Sequence, residues 1–448
     1  MAANGLSSSR RKKALISAPA PKIFEPRYLG CYFGGHPYMK LLAQSVVLWF
    51  VGIIGVHASL TVSTDFESGS ARVLDLNSDT QTVRISPGGD LKRGMPNWWY
   101  LRLDGVDSGK PVMLEVVALD VSVPPGGKGK PLNVGWTLPA CAAVSIDGTN
   151  WQQTPPVKRQ GNHSVYTIPT SSSTLWLAWG PPFTPHDATK FTDDLARAHP
   201  FVKKFVLAKS VEGRPVPGIE IYEGGKPLAS RPVIWTIGRQ HAWEVGGSWV
   251  TKGFAEWLAG DDEQAKWLRQ NAEIVVVPLM DVDHVATGDG GKWALPQDHN
   301  RDWSDAPHWP EVAAAQKMAR TFTQQSRMEV YVDVHNPSAG QTSPKFYRDY
   351  PPYIGEKGAA LEDRFLALAR ETYGAIDIVD GKPSKPEDLP EWHTISTPWF
   401  LEHGNPQTIS FTLEVPWNTP QGTVEGYRDV GQKLGLTLEK YLKERLQK

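Results

Sequence analysis

The stretch Val233-Ile-Trp-Thr-Ile-Gly-Arg-Gln-His-Ala-Trp-Glu244 decides the fold of the second half of the chain. It begins with a short apolar run, which is typical of a strand buried on both faces of a sheet that helices cover. Similar runs recur at Glu273–Leu279, Glu329–Val334 and Thr408–Glu414, after a predicted hairpin over 205–222. The helical patterns that alternate with these runs are Gly246–Leu258, Val312–Gln324, Gly358–Tyr373 and Val424–Leu446. This alternation predicts an α/β fold with a doubly wound mixed sheet, which we place at residues 187–448.

The preceding residues have a different pattern, with short apolar stretches between turn signals such as Asp104-Gly and Pro124-Pro-Gly-Gly. Several short strands with frequent turns predict an all-β sandwich, which we place at residues 61–182. We expect its tryptophans to fill its core, and a carbohydrate-binding face is the alternative for them. The tryptophans concerned are Trp98, Trp99, Trp151, Trp176 and Trp179.

Composition excludes several classes of protein. The 448 residues suggest two or three domains, and 18 tryptophans exclude a chain that is disordered for most of its length. The formal net charge of −1 provides no global basic field, so we expect no nucleic-acid partner. Only two cysteines occur, and we interpret Cys141, in an apolar stretch, as a buried small hydrophobic residue.

Residues 1–58 carry the signals for cellular location. One apolar run of membrane length, Leu41 to Ala58, follows Met39 and Lys40 and ends in Val56-His-Ala58, a small-x-small cleavage pattern. We therefore interpret 1–58 as a lead plus a signal peptide, with the true start at Met39, and expect a secreted or periplasmic protein. The alternative is an uncleaved membrane anchor, because 18 residues can just span a bilayer. If the signal is cleaved, we expect no stable association with the membrane.

Three groups of polar residues stand at the ends of predicted strands. His241 and Glu244 have i, i+3 spacing after the first strand, His335 ends a second strand, and Glu414 ends a third. Because the carboxyl ends of parallel strands meet at one edge of a sheet, these side chains can converge. Two histidines and one glutamate suit a catalytic zinc site with a fourth position open. A carboxylate such as Glu414 beside the metal is suited to proton transfer.

These motifs resemble the zinc carboxypeptidase (carboxypeptidase A-like) family. The resemblance rests on His241-x-x-Glu244, on the strand-terminal His335, on the segment Asp298-His-Asn-Arg-Asp-Trp303 and on Ser410-Phe-Thr-Leu-Glu414. The sequence is most similar to the cytosolic-carboxypeptidase-like branch, in which a β-sandwich precedes the catalytic domain. The resemblance covers about residues 61–446.

The resemblance implies a metallocarboxypeptidase that holds one zinc ion per chain through His241, Glu244 and His335. It implies that Glu414 activates the zinc-bound water as a general base. It also implies that Asn300 and Arg301 grip the free C-terminal carboxylate of a peptide substrate, since a guanidinium pairs a carboxylate through two parallel hydrogen bonds.

The sequence departs from the family pattern at three places, one of which is the lack of an obvious match for the tyrosine that closes over substrate. Where the family has an arginine that polarises the scissile carbonyl, the nearest cation is Lys292, which either takes that role or is a solvated loop residue. Trp243 makes the turn between the ligands bulkier, and we expect it to narrow the cleft. We also expect the Gly- and Pro-rich segment 375–406 to form a loop over the cleft.

Two other functions remain open from the sequence. The same site could belong to a zinc amidohydrolase or deacylase that acts on a non-peptide substrate bearing a carboxylate. Loss of the family arginine is also compatible with a catalytically weak, peptide-binding pseudoenzyme. Retention of Glu414 with all three ligand residues favours an enzyme.

Overall fold

The structure is a computed structural model that describes residues 59–126, 129–337, 340–349, 351–381 and 389–447. The predicted signal peptide and the start at Met39 lie outside the described residues. Within those residues, none of the helices combines the length and the apolar character that a membrane span requires.

The first part of the described chain forms two β-sheets that share one core. Its strands are β1 Thr61–Ser63, β2 Arg72–Asn77, β3 Thr82–Ser86, β4 Tyr100–Asp104, β5 Val112–Val117, β6 Ser122–Val123, β7 Lys130–Pro131, β8 Ala143–Ser145, β9 Gln152–Gln153, β10 His163–Ile168 and β11 Thr174–Ala178. One sheet has the order β1-β4-β11-β8-β9, the other has the order β10-β5-β3-β2, and β6 and β7 form a separate ribbon. Alternate residues of β5 face inward, so that Leu114 of one sheet and Leu101 of the other lie in the same core.

Tryptophans fill much of this core, as the sequence predicted. Trp98, Trp99, Trp151 and Trp179 are buried, whereas Trp176 is only partly buried. The Trp99 indole donates to the carbonyl of Thr137 over 3.1 Å, and this bond satisfies its buried N–H.

The second part of the chain forms an eight-stranded mixed sheet with helices. Its strands are β12 Val202–Lys209, β13 Pro215–Ile221, β14 Val233–Gly238, β15 Glu273–Val277, β16 Met328–His335, β17 Lys345–Asp349, β18 Asp377–Gly381 and β19 Ile409–Glu414. Its helices are α1 Pro185–Ala198, α2 Gly246–Ala259, α3 Glu263–Asn271, α4 Val282–Thr287, α5 Pro310–Gln324, α6 Pro351–Tyr373, α7 Leu389–Trp392, α8 Ser396–His403 and α9 Val424–Leu446. The strand order is β12-β13-β15-β14-β16-β19-β17-β18. The predicted fold class is therefore confirmed.

The four central strands place the site. β15, β14, β16 and β19 are mutually parallel neighbours, so their carboxyl ends lie at one edge of the sheet. The register of β16 and β19 sets His335 directly opposite Glu414 at that edge. All residues of β14, β15 and β16 are buried, which explains their nearly continuous apolar sequences.

The segment 375–406, which we expected to form a loop over the cleft, does line the cleft through residues such as Trp392 and Ile395, but much of its described part is regular secondary structure. Its described residues form β18 at the edge of the sheet, then α7 and α8. Strand β18 has only five residues, three of which are Asp or Gly, and this composition weakens the sequence signal for a strand. Pairing with β17 nevertheless holds it in the sheet.

Candidate active site

The turn after β14 presents the first two candidate ligands. Arg239 adopts a left-handed backbone conformation with φ of 68°, which ends the strand and turns the chain. Its buried guanidinium donates to the carbonyl of Ala242 over 2.7 Å and to that of Phe183 over 3.3 Å. The amide of Glu244 donates to the carbonyl of His241 over 3.1 Å. The turn therefore holds the His241 and Glu244 side chains on the same side.

The three candidate ligands converge at the edge of the sheet. His241 Nδ1 lies 2.9 Å from Glu244 Oε1, and His335 Nδ1 lies 2.6 Å from Glu244 Oε2. One ligand atom from each residue lies within 4.8 Å of the others, and all three side chains are buried. The structure thus brings together the residues that the sequence assigned to zinc.

Carboxylates hold the other ring nitrogen of each histidine. His241 Nε2 lies 3.1 Å from Asp298 Oδ1, and His335 Nε2 lies 2.9 Å from Asp333 Oδ2. Such contacts fix the tautomer that leaves Nδ1 free to bind a metal, and metal-ligating histidines usually have them. This donor set therefore fits a zinc ion.

Asp298 and Asp333 are supporting residues of the candidate site to which the sequence analysis gave no role. A signal existed at Asp333, because an acid inside the apolar strand Val330-Tyr-Val-Asp-Val-His335 is costly unless it is paired. No comparable local signal marks Asp298, which meets His241 only through the fold.

The electrostatics separate the two glutamates of the site. Burial opposes ionisation of Glu244, but His241 and His335 outweigh it and hold the pKa of this carboxyl well below its usual range. Burial and the negative charge of Glu244 raise the pKa of Glu414 to about 7. Glu414 Oε2 is buried and has no hydrogen-bond partner among the described residues. Glu244 is therefore suited to bind a cation, and Glu414 is suited to exchange a proton near neutral pH.

Glu414 lines a cleft of about 290 Å³ together with His241, His335, Asn300, Arg301 and Lys292. Ser396 N donates to Asn300 Oδ1 over 3.1 Å. The Arg301 side chain donates to its neighbour Asn300 O over 2.8 Å and to the exposed Glu391 over 3.1 Å. Two bonds thus orient a guanidinium that remains partly exposed at the cleft.

Lys292 also lines the cleft, and its Nζ lies 3.7 Å from Glu244 Oε1. The N-terminal domain braces its loop through backbone hydrogen bonds. Met95 N donates to the carbonyl of Lys292 over 3.0 Å, and Gly291 N donates to that of Arg93 over 3.0 Å. Lys292 therefore belongs to the lining of the cleft, on a loop whose backbone is bonded to the N-terminal domain.

Trp243 does not narrow the cleft, contrary to the expectation from sequence. It is 2% exposed and packs into the core of the N-terminal domain. Its ring stacks on Trp417 with centroids 5.1 Å apart and meets Trp179 edge to face at 5.4 Å. The bulky residue between the two ligands thus joins the turn to the β-sandwich.

Comparison with known proteins identifies the family. A model described as "Zinc carboxypeptidase" matches residues 188–372, and one described as "Cytosolic carboxypeptidase N-terminal domain" matches residues 62–179. An uncharacterised protein of Zymomonas mobilis is 26% identical over 286 residues, which are 63% of this chain and 68% of that protein. Human cytosolic carboxypeptidase 1 is 27% identical over 200 residues, which cover 40% of this chain but only 16% of that protein.

A solved structure shows the same fold. The metallo-carboxypeptidase from Burkholderia cenocepacia superposes with a TM-score of 0.72 at 19% identity, covering 87% of this chain and 100% of that one. The chain therefore belongs to the zinc carboxypeptidase family and carries the N-terminal domain of the cytosolic carboxypeptidases. The resemblance noted from its motifs is confirmed.

Proposed function

We propose that this protein is a zinc carboxypeptidase that hydrolyses the C-terminal peptide bond of peptides. One observation carries the proposal. Glu414, whose Oε2 has no hydrogen-bond partner among the described residues, lines one cleft with the candidate ligands His241 and His335 and with the cation Arg301. The third candidate ligand, Glu244, contacts both histidines. Base, metal ligands and carboxylate receptor are the three parts that the reaction needs.

The residues of the chain would divide the work as follows. Arg301 and Asn300 bind the terminal carboxylate and place the last peptide bond in the cleft. Glu414, whose pKa is about 7, accepts a proton from the attacking water and returns it to the leaving amine. Zinc, when bound, supplies Lewis-acid chemistry that polarises the carbonyl and acidifies water.

Lys292 is the residue that we propose for stabilising negative charge on the carbonyl oxygen. It is a cation in the cleft, and contacts with the N-terminal domain fix its loop. A lysine acts as a point charge without the forked geometry of arginine. We therefore expect Lys292→Arg to retain turnover and Lys292→Met to lower kcat more than it raises KM.

The decisive experiment incubates the zinc-loaded full chain with a peptide library and identifies the products by mass spectrometry. We expect loss of single C-terminal residues, none from C-terminally amidated peptides, and inhibition by a chelator. Glu414→Gln should retain zinc and lose turnover, whereas Glu439→Gln, a matched change at a buried glutamate on α9, should retain both. His241→Ala should bind one equivalent of zinc less than the parent chain.

Other outcomes would redirect the assignment. Equal rates on free and amidated peptides would refute the carboxylate receptor. No peptide cleavage, with release of acyl groups from carboxylate-bearing amides, would indicate the amidohydrolase. Metal and peptide binding without turnover on either substrate class would indicate a pseudoenzyme.

We also propose, from the sequence of residues 39–58 alone, that the chain is exported. N-terminal sequencing of the protein recovered from its native host tests this proposal. A mature start at Ser59 would support cleavage, and an intact apolar segment in the membrane fraction would support the anchor.

A further inference from the structure

A second cluster of side chains that could bind a metal ion lies outside the lining of the cleft. Asp281, His284 and His299 each offer a ligand atom within 4.8 Å of the others, and all three are buried. His284 Nδ1 lies 2.8 Å from Asp281 Oδ1, and His299 Nδ1 lies 3.5 Å from Asp281 Oδ2. None of the three lines the candidate catalytic cleft. The cluster is therefore distinct from the site of the proposed reaction.

The orientation of His299 is the strongest indication of a cation. Its Nε2 lies 2.7 Å from Glu311 Oε1, so that ring nitrogen donates to a carboxylate. Its Nδ1 is buried, points toward Asp281 and has no hydrogen-bond partner among the described residues. His299 therefore has one ring nitrogen held by a carboxylate and the other facing Asp281 Oδ2 at 3.5 Å without a hydrogen bond among the described residues, which is the arrangement of a metal ligand.

The residues of this cluster are also arranged like those of the candidate catalytic site. His241-x-x-Glu244 follows β14, and Asp281-x-x-His284 follows the adjacent parallel strand β15. In each case a third ligand, His335 or His299, approaches the shared carboxylate from another element. With metal–ligand distances of ~2.0–2.2 Å, tetrahedral ligand atoms lie ~3.4 Å apart, close to the separation of His299 and Asp281.

From this geometry we propose a second, buried site for a zinc-class divalent cation, formed by Asp281, His284 and His299. The three side chains are 0–2% exposed, so we assign no substrate to this site. The cation would fix elements of the cleft. In the sequence, His299 is flanked by Asn300 and by Asp298, which contacts His241. The amide of Asp281 donates to the carbonyl of Arg239, two residues before His241.

The proposal is tested by counting metal, independently of turnover. The full chain is stripped with a chelator, dialysed against zinc alone and analysed by elemental mass spectrometry. We expect two equivalents for the parent chain, one each for His241→Ala and His299→Ala, and none for the double variant. Two zinc equivalents in His299→Ala, or one zinc equivalent in both the parent chain and His299→Ala, would overturn the proposal. The three residues would then form a hydrogen-bonded cluster without a metal.

A milder variant covers the case in which His299→Ala fails to fold. Glu311→Gln removes only the carboxylate that orients His299, and we expect it to weaken one of the two zinc equivalents by ~10–100-fold while the other is unchanged. Glu439→Gln is the matched control and should leave both affinities unchanged. Equal zinc affinities in Glu311→Gln and the parent chain, measured by competition with a chromogenic chelator, would also overturn the proposal. Loss of peptidase activity alone would bear only on the proposed function.

Discussion

Truncation of Trp243 to alanine should destabilise the protein and weaken zinc binding together. The side chain is 2% exposed and packs against Trp179 and Trp417. Replacing a buried tryptophan by alanine costs ~3–5 kcal/mol. Each aromatic pair contributes ~0.5–1.5 kcal/mol beyond its buried area, so we expect the upper part of that range.

The expected shift in melting temperature follows from the size of the chain. About 390 residues follow Ala58, and an unfolding entropy of ~2.1 cal/mol/K per residue gives ~0.8 kcal/mol/K. A loss of ~3–5 kcal/mol therefore lowers the melting temperature by ~4–6 °C. Calorimetry measures this shift, and competition with a chelator measures the zinc affinity, which should fall because Trp243 lies between His241 and Glu244.

Two further variants separate this effect from general damage. Trp243→Phe should lower the free energy of unfolding by less than about half of the loss expected for Trp243→Ala. The variant keeps an aromatic ring, and the indole N–H that it loses has no hydrogen-bond partner among the described residues. Trp176→Ala alters a partly buried tryptophan of the same domain, which packs on Phe66 and Tyr100, and should leave zinc affinity unchanged. A Trp243→Ala protein with full stability, or with lower stability but unchanged zinc affinity, would refute the reasoning.

Three more predictions follow from the site. Asp298→Asn should weaken zinc binding by ~10–100-fold because it removes the carboxylate on His241 Nε2, and a chelator titration with Asp302→Asn as control checks this. Arg301→Ala should lower kcat/KM on peptides with a free C-terminus by ~10–150-fold, since a hydrogen bond to a charged group contributes ~1.5–3 kcal/mol. Arg320→Ala, which alters an arginine outside the cleft, should leave kcat/KM unchanged. Zinc at 100 times its Kd stabilises the folded protein by ~2.7 kcal/mol, so the metal-free protein should melt ~3 °C lower than the protein in that zinc concentration. An unchanged melting temperature would contradict metal binding to the folded state.

The central sheet and the convergence at its edge were predictable from the sequence. The run Val233–Ile237 is nearly all apolar because β14 is buried on both faces, and this pattern has few alternative explanations. Once His241, His335 and Glu414 stand at the ends of parallel strands, topology alone brings them to one edge.

The supporting contacts were not predictable in the same way. Asp298 meets His241 across 57 residues of sequence, and neither residue carries a local mark of the other. The direction of Trp243 depends on a pocket that the N-terminal domain supplies, and the pattern of the turn contains no information about that pocket. The edge strand β18 is held by its pairing with β17 rather than by its own composition.

The N-terminal domain braces two segments that carry residues of the candidate site, although none of its described residues lines the cleft. Gly94, with φ of 115°, packs so closely on the loop of Lys292 that an added Cβ would lie 2.5 Å from Gly291 N. Arg93 Nε donates to Asp289 Oδ2 over 2.7 Å at the start of the same loop. The sandwich thus fixes the loop of the candidate oxyanion cation, while its core holds Trp243 between two candidate zinc ligands. Because positioning errors of about 1 Å can cost ~100-fold in rate, the proposed reaction would depend on these contacts with the N-terminal domain.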